Sequence, residues 1–218
     1  MALNGFFITG TDTGVGKTWF TAGLTRALRM RGLPALGLKP ILCGERTDAE
    51  MLAAANNETL TLNEINPVWW KPPVAPYTAA VIEDRPFDFA PIRETLARLA
   101  ATHPGPFLIE AVGGWLVPIT REISVREWAQ ELGLPVLVVC RAALGTLNHT
   151  RLTVESIRSS GLPLTGLVMN AHGTAEDDLA AQTNPAILED LTNLPVWSVH
   201  DESDLAAPPP WIFPRSPS

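Results

Sequence analysis

Hydrophobic residues first cluster in Gly5-Phe6-Phe7-Ile8-Thr9-Gly10, a run that stops abruptly at the polar, glycine-rich stretch "TDTGVGKT". Compact runs of branched and aromatic residues read as strands, and apolar residues three or four apart read as helices. The pattern predicts a first strand over 5–10 and a helix over 17–31, with Phe20, Leu24 and Leu28 along one face. Residues 33–42, "LPALGLKPIL", read as a second strand, and 48–57 as a helix with Asp48 at its N-cap. Residues 58–89 hold many prolines and the segment "NPVWWKPPVAPYTAA", and read as a long excursion with a little helix. A helix over 91–102 carries Pro91 in its first turn. A strand over 106–114 then ends on an acid and two glycines. Ser124 followed three residues later by Glu127 has the spacing of a capping box and opens another helix. "LPVLVVC" (134–140) and "LTGLVMNA" (164–171) are almost continuously apolar, as strands covered on both faces should be. A helix over 147–160 joins them, and "LPVWSVH" (194–200) is the expected last strand.

Strands alternating with helices imply βαβ units around a mostly parallel sheet, the α/β class. Composition narrows the picture. In 218 residues 46% are hydrophobic, which suits a packed globule burying roughly 70% of its unfolded surface. The expected organisation is a single α/β domain over 1–205 and a proline-rich tail over 206–218. A formal charge of −7 without a basic patch argues against nucleic acid as a partner. Cys43 and Cys140 are far apart and lack metal spacing, which suggests a reducing, cytoplasmic setting. The start of the chain does not resemble a secretory signal, and the apolar runs are too short to span a membrane.

The loop at 10–18 carries the chemistry. Ligands of open α/β sheets bind where strand C-termini meet helix N-termini. There, backbone N–H groups can cradle phosphate oxygens, Lys17 can offset their charge, and Thr18 can ligate Mg²⁺. The literal Gly-x4-Gly-Lys-Thr spacing fails, because five residues rather than four separate Gly10 from Gly16, and Thr11 stands where the first glycine belongs. The loop is a variant P-loop, and the fold it implies is a three-layer P-loop NTPase-like one. Glu110 ends the strand "FLIE", a usual place for an acid that holds Mg²⁺. Lys39 ends the second strand at the same sheet edge.

"GTDTGVGKT", "LKPILCG", "IEAVGGWLVPI" and "RAALGTLNHT", in that order, resemble the ATP-dependent dethiobiotin synthetase family over roughly residues 6–172. The resemblance implies a ligase of biotin biosynthesis that uses ATP and Mg²⁺. Its substrates would be a diamine, 7,8-diaminononanoate, and CO2, joined through a carbamate and a mixed anhydride into a cyclic urea. Catalysis then falls to Lys17, Lys39 and Thr13, with Lys39 polarising the carbamate. Gly14, Val15, Gly16, Lys17, Thr18 and Trp19 would hold the phosphates, and Thr18, Asp48 and Glu110 the metal. Glu45 and Glu50 are alternatives to Asp48. The family's Glu-Gly-Ala-Gly-Gly reads here Glu110-Ala111-Val112-Gly113-Gly114, so two larger side chains stand near the nucleotide. Asn170 and Ala171 with Val199, His200 and Asp201 would surround the adenine. Cys43 replaces a serine that contacts the diamine, and Tyr77 a more usual histidine. Gly145, Thr146, Leu147 and Asn148 would bind the substrate carboxylate across a homodimer interface.

Two other classes fit parts of the pattern. Partition and division-site ATPases carry a second lysine five residues before the P-loop lysine, where this chain has Asp12. Corrinoid amide synthases share a similar loop but need a glutaminase domain, for which 218 residues leave no room. The four histidines, His103, His149, His172 and His200, show no metal spacing and read as surface or capping residues, and Trp69, Trp70, Trp115, Trp128 and Trp197 as core or interface.

Overall fold

A computed structural model describes residues 3–175 and 177–213. The first half of the chain runs β1 (Gly5–Gly10), α1 (Lys17–Met30), β2 (Leu36–Leu38), β3 (Ile41–Cys43), α2 (Thr47–Ala55), α3 (Leu62–Ile65), β4 (Val68–Trp70), α4 (Pro76–Ile82) and α5 (Ala90–Thr102). It continues with β5 (Phe107–Glu110), α6 (Val125–Leu132), β6 (Val136–Arg141), α7 (Thr146–Ser159), β7 (Leu164–Asn170), α8 (Leu179–Thr192), β8 (Val196–Val199), α9 (Glu202–Ala206) and a 3₁₀ turn at Pro210–Ile212. Among the described residues, one sheet has the order β2-β5-β1-β6-β7-β8, and every pairing in it is parallel. The α/β architecture with a parallel sheet expected from the alternating pattern is therefore present.

The alternation within β1 divides the core. Phe6 and Ile8 belong to one cluster with Phe20, Leu24 and Leu28 of α1. Phe7 belongs to the other, where its ring meets Trp115 and Trp128 edge-on at centroid distances of 6.5 and 5.2 Å. Covered on both faces, β1 is buried at every position, which is why it reads as a continuous apolar run.

Two expectations need correction. Residues 33–42 do not form one strand. Pro40 has no N–H to offer a ladder, and the chain leaves the main sheet after Leu38. Lys39 N–H instead donates to Ile65 O at 3.0 Å, and the buried Asn66 amide donates to Lys39 O at 3.1 Å. β3 then pairs in parallel with β4, a strand inside the supposed excursion. Asp48 is not an N-cap either. Helix α2 starts one residue earlier, after Arg46, and Asp48 lies inside its first turn with its carboxylate turned to Lys39. Helix α8 was not legible because Pro185 interrupts its pattern from within.

The capping box at α6 is present in both directions, Ser124 accepting from the helix backbone and Glu127 accepting from Ser124 N–H at 2.7 Å. Burial would raise the Glu127 carboxyl, but the Ser124 hydroxyl and N–H outweigh it and hold the group at about 2, below its ordinary 4.5. A depressed folded value lends stability that is complete above about pH 4.5 and is lost as pH falls through about 2. Glu127→Ala is expected to cost about 1 kcal/mol at pH 7, with the gap to wild type narrowing below pH 4.5. Urea titrations at several pH values measure this; a gap independent of pH would refute the linkage.

Candidate active site

Parallel pairing puts every strand's C-terminus on one edge. Ile8 is in register with Glu110, Gly10 with Val139, Arg141 with Asn170, and Asn170 with Val199. The loop from Thr11 to Gly16, Lys39 after β2, Glu110, Arg141 and Asn170 thus emerge side by side. Gly14 (φ 72°) and Gly16 (φ 92°) take left-handed conformations that glycine adopts without steric cost. Arg141 fixes the loop by donating to Gly14 O at 2.9 Å, and Asn170 Nδ2 donates to Val15 O at 2.9 Å.

Two lysines and two carboxylates meet behind the loop. Glu110 is fully buried, and Lys17 and Lys39 nearly so. Lys39 Nζ donates to Glu110 Oε1 at 2.7 Å, to Thr18 Oγ1 at 3.3 Å, and to Asp48 Oδ2. Thr18 Oγ1 in turn donates to Glu110 Oε1 at 2.7 Å. Burial alone would lower the Lys39 ammonium, but Glu110 and Asp48 on either side outweigh it and hold it above its ordinary value. Lys17 donates to Asp12 O at 2.9 Å. Burial, only partly offset by Glu110, brings its ammonium down to about 8. At neutral pH both lysines are cations with little water around them, where charge acts most strongly.

The other Glu110 oxygen, Oε2, is buried without a hydrogen-bond partner. A buried, orphaned carboxylate oxygen calls for a cation. With Thr18 Oγ1 and Asp48 it makes a hard oxygen set suited to Mg²⁺, which is commonly held by one or two carboxylates together with substrate phosphates. Among the described residues, no group of three His, Cys, Asp or Glu side chains forms a denser metal cluster.

Thr13 faces Gly113, whose Cβ, were there one, would lie 3.4 Å from Thr13 Oγ1. Gly114 backs directly onto the backbone of Gly10, Thr11 and Asp12. Ala111 is fully buried in the core, and Val112, partly buried, packs against that core. Cys43 ends β3, where burial pushes its thiol up to about 11. Glu45 and Glu50, unlike Asp48, make no ion pair with Lys39. Ala171 N–H donates to Val199 O, while Asp201 is committed to capping α9 through Ser203 and Asp204 N–H. Tyr77 lies in α4, away from the lysine–carboxylate cluster and beside a separate apolar groove.

Gly145 to Asn148 open α7, with Gly145 at φ 92° and Leu144 almost fully exposed. They do not line the cavity nearest the loop. That cavity, about 480 Å³, lies between Thr11-Asp12, the Gly114–Pro118 loop and the next turns of α7, at His149, Leu152, Thr153 and Ser156. His149 and Arg141 are functional candidates that the sequence reading missed. Arg141 had a usable signal: like Glu110, it is a charge closing an apolar strand.

Residues 4–206 match the family described as an AAA domain. The fold resembles a ParA family ATPase from Chlorobium tepidum (TM-score 0.56, 12% identity, 93% of this chain and 87% of that one). It also resembles the septum site-determining protein MinD from Pyrococcus horikoshii (TM-score 0.56, 16% identity, 94% and 86%). Sequence relatives are closer. An ATP-dependent dethiobiotin synthetase from Anaeromyxobacter dehalogenans is 45% identical over 88% of this chain and 86% of its own. Those from Aquifex aeolicus (36%, covering 92% and 90%) and Bacillus velezensis (34%, covering 93% and 88%) extend the match. With a P-loop closed by Lys17-Thr18, a paired Lys39–Glu110 behind it and this degree of identity along nearly the whole chain, the protein belongs to the ATP-dependent dethiobiotin synthetase family.

Proposed function

We propose that this chain makes dethiobiotin from 7,8-diaminononanoate, CO2 and ATP in the cytoplasm, as the ligase of biotin biosynthesis that its relatives' name describes. One amine adds CO2 and loses a proton to become a carbamate. A carbamate oxygen attacks the γ-phosphorus and ADP departs. The second amine then attacks the carbonyl carbon of the mixed anhydride, and phosphate leaves as the cyclic urea closes.

Two anions must approach each other in the phosphoryl step, so the site needs cations placed in advance. The observation that carries the reading is the buried pair Lys17 and Lys39 behind a phosphate-binding loop. Lys17 spans the β- and γ-phosphates, Lys39 polarises the carbamate, and the Thr13 hydroxyl steadies it. The amides of Gly14, Val15, Gly16, Lys17, Thr18 and Trp19 cradle the phosphates. Thr18, Asp48 and Glu110 hold Mg²⁺, which supplies charge neutralisation at the phosphoryl oxygens.

Asn170 suits adenine for a specific reason. Its Nδ2 already donates to Val15 O and its Oδ1 accepts His172 N–H at 3.1 Å. One donor and one acceptor remain side by side, matching N7 and the 6-amino group of adenine; guanine would oppose its O6 to Oδ1. Ala171, Val199, His200 and Asp201 border the base through their backbone. The cavity beside Thr11 takes the diamine's hydrocarbon chain along Trp115, Leu116, Val117 and Leu152. Cys43 contacts the amine end. The carboxylate is met by Gly145, Thr146, Leu147 and Asn148 of a partner in a homodimer, a role supported by the exposure of Leu144 and Leu152 on and beside α7.

An ATPase assay with each component omitted tests the reaction. ADP is expected only when diamine, bicarbonate and Mg²⁺ are all present, together with the cyclic urea by mass spectrometry. ATP turnover without diamine, and without urea, would overturn the ligase reading.

A further inference from the structure

Trp19, the third residue of α1, and His172, two residues beyond Asn170, stack at a centroid distance of 4.6 Å with 23° between their planes. Trp19 is half-buried and rests against the core cluster beneath α1, whereas His172 is exposed. The imidazole is held from three directions. Its residue's N–H donates to Asn170 Oδ1, its Nδ1 lies 3.1 Å from His200 O, and its face lies on the indole. A carbonyl only accepts, so Nδ1 carries the proton in that contact. His200 is itself anchored, its N–H donating to Asp204 Oδ2 at 2.8 Å. A side chain fixed at this many points gives up little freedom when something packs on it.

We propose that His172 is the stacking surface for the nucleotide's purine ring and that Trp19 is the positioning residue that keeps the imidazole flat beneath it. The site is then a three-layer stack of indole, imidazole and base. Its place follows from the chain. Trp19 comes two residues after the phosphate-binding Lys17, on the same helix end, and Asn170 presents its free donor and acceptor beside His172. The hydrogen-bonding edge and the stacking face thus lie together: Asn170 reads which base is present, and His172 supplies sequence-independent affinity. This inference rests on the ATP reading above and adds His172, which that reading does not use, and a role for the Trp19 side chain, of which that reading uses only the backbone amide.

Calorimetric titrations with Mg-ATP and with Mg-tripolyphosphate separate the two. Base–aromatic stacking is strong enough that His172→Ala is expected to weaken ATP binding about tenfold, while tripolyphosphate, which has no base, binds as before. His172→Phe keeps a ring at the position and is expected to restore ATP affinity to within about twofold of wild type. Trp19→Leu is expected to weaken ATP selectively as well, and decides the matter by the same criterion if His172→Ala does not fold. Equal weakening of both ligands, no change in either, or failure of His172→Phe to rescue would overturn the proposal. Binding of neither ligand to the wild-type chain would overturn the nucleotide reading itself, and the stack with it.

Discussion

A Lys39→Met chain is expected to form dethiobiotin at least about a thousandfold more slowly than wild type while still binding ATP. The methionine keeps most of the side chain's length and apolar stem and removes the charge together with its hydrogen bonds to Glu110, Thr18 and Asp48. Lys39 Nζ sits between Asp48 and Glu110, and Glu110 is completely buried. Taking away its cation leaves an uncompensated buried carboxylate, which costs roughly 3–5 kcal/mol in folding stability. The same loss is expected to shrink when Mg²⁺ and ATP are supplied, because Glu110 Oε2, orphaned in the free protein, then gains a cation. Product measured by mass spectrometry reads the first effect, and urea unfolding with and without Mg-ATP reads the second. Product formation at the wild-type rate would remove Lys39 from the mechanism. A stability loss indifferent to Mg-ATP would remove Glu110 from the metal site.

Gly16→Ala should weaken nucleotide binding by about two orders of magnitude in a chain that is otherwise folded. Gly16 has φ 92°, a conformation that costs an L-residue about 1–2 kcal/mol. A Cβ there would also lie 1.9 Å from Asn170 Nδ2, so Asn170 or the loop must move. Either displacement breaks the bond from Asn170 to Val15 O that ties the phosphate loop to the end of β7. A shift of about 1 Å in a positioned group can cost a hundredfold, and the loss of ATP affinity is expected to reach at least that, about two orders of magnitude. Gly133→Ala is the control. It too has a positive φ, 64°, at the end of α6, but nothing lies within 4 Å of its would-be Cβ. It should lower the melting temperature slightly and leave ATP binding unchanged. Comparable affinity losses in the two variants would mean that backbone strain, not the closeness of Asn170, governs the site.

The residues at strand ends explain how much could be read in advance. Lys17, Thr18 and Glu110 each follow an unbroken apolar run or a glycine-rich turn, so local pattern located them, Asn170 was pointed to by the family resemblance, and parallel pairing set all four on one edge. Lys39 was found in the same way, although the strand it closes is three residues long and ends because of Pro40. Asp48 was read as a helix cap with a possible metal role. Its ion pair with Lys39, nine residues away, depends on how α2 is laid against β2, which no local pattern encodes. β4 was missed because its partner is the stub of a strand that leaves the main sheet.

Sequence alone therefore determined the class of fold, the phosphate loop and the identity of the charges near it, because hydrophobic period and glycine placement are properties of a few consecutive residues. Only the tertiary structure decided which of those charges touch, which carboxylate oxygen is left bare, and that Trp19 and His172, 153 positions apart, lie face to face. Contacts between distant segments are fixed by how strands and helices pack around the shared core, and their strength comes from the exclusion of water there. Neither is written in any one stretch of chain.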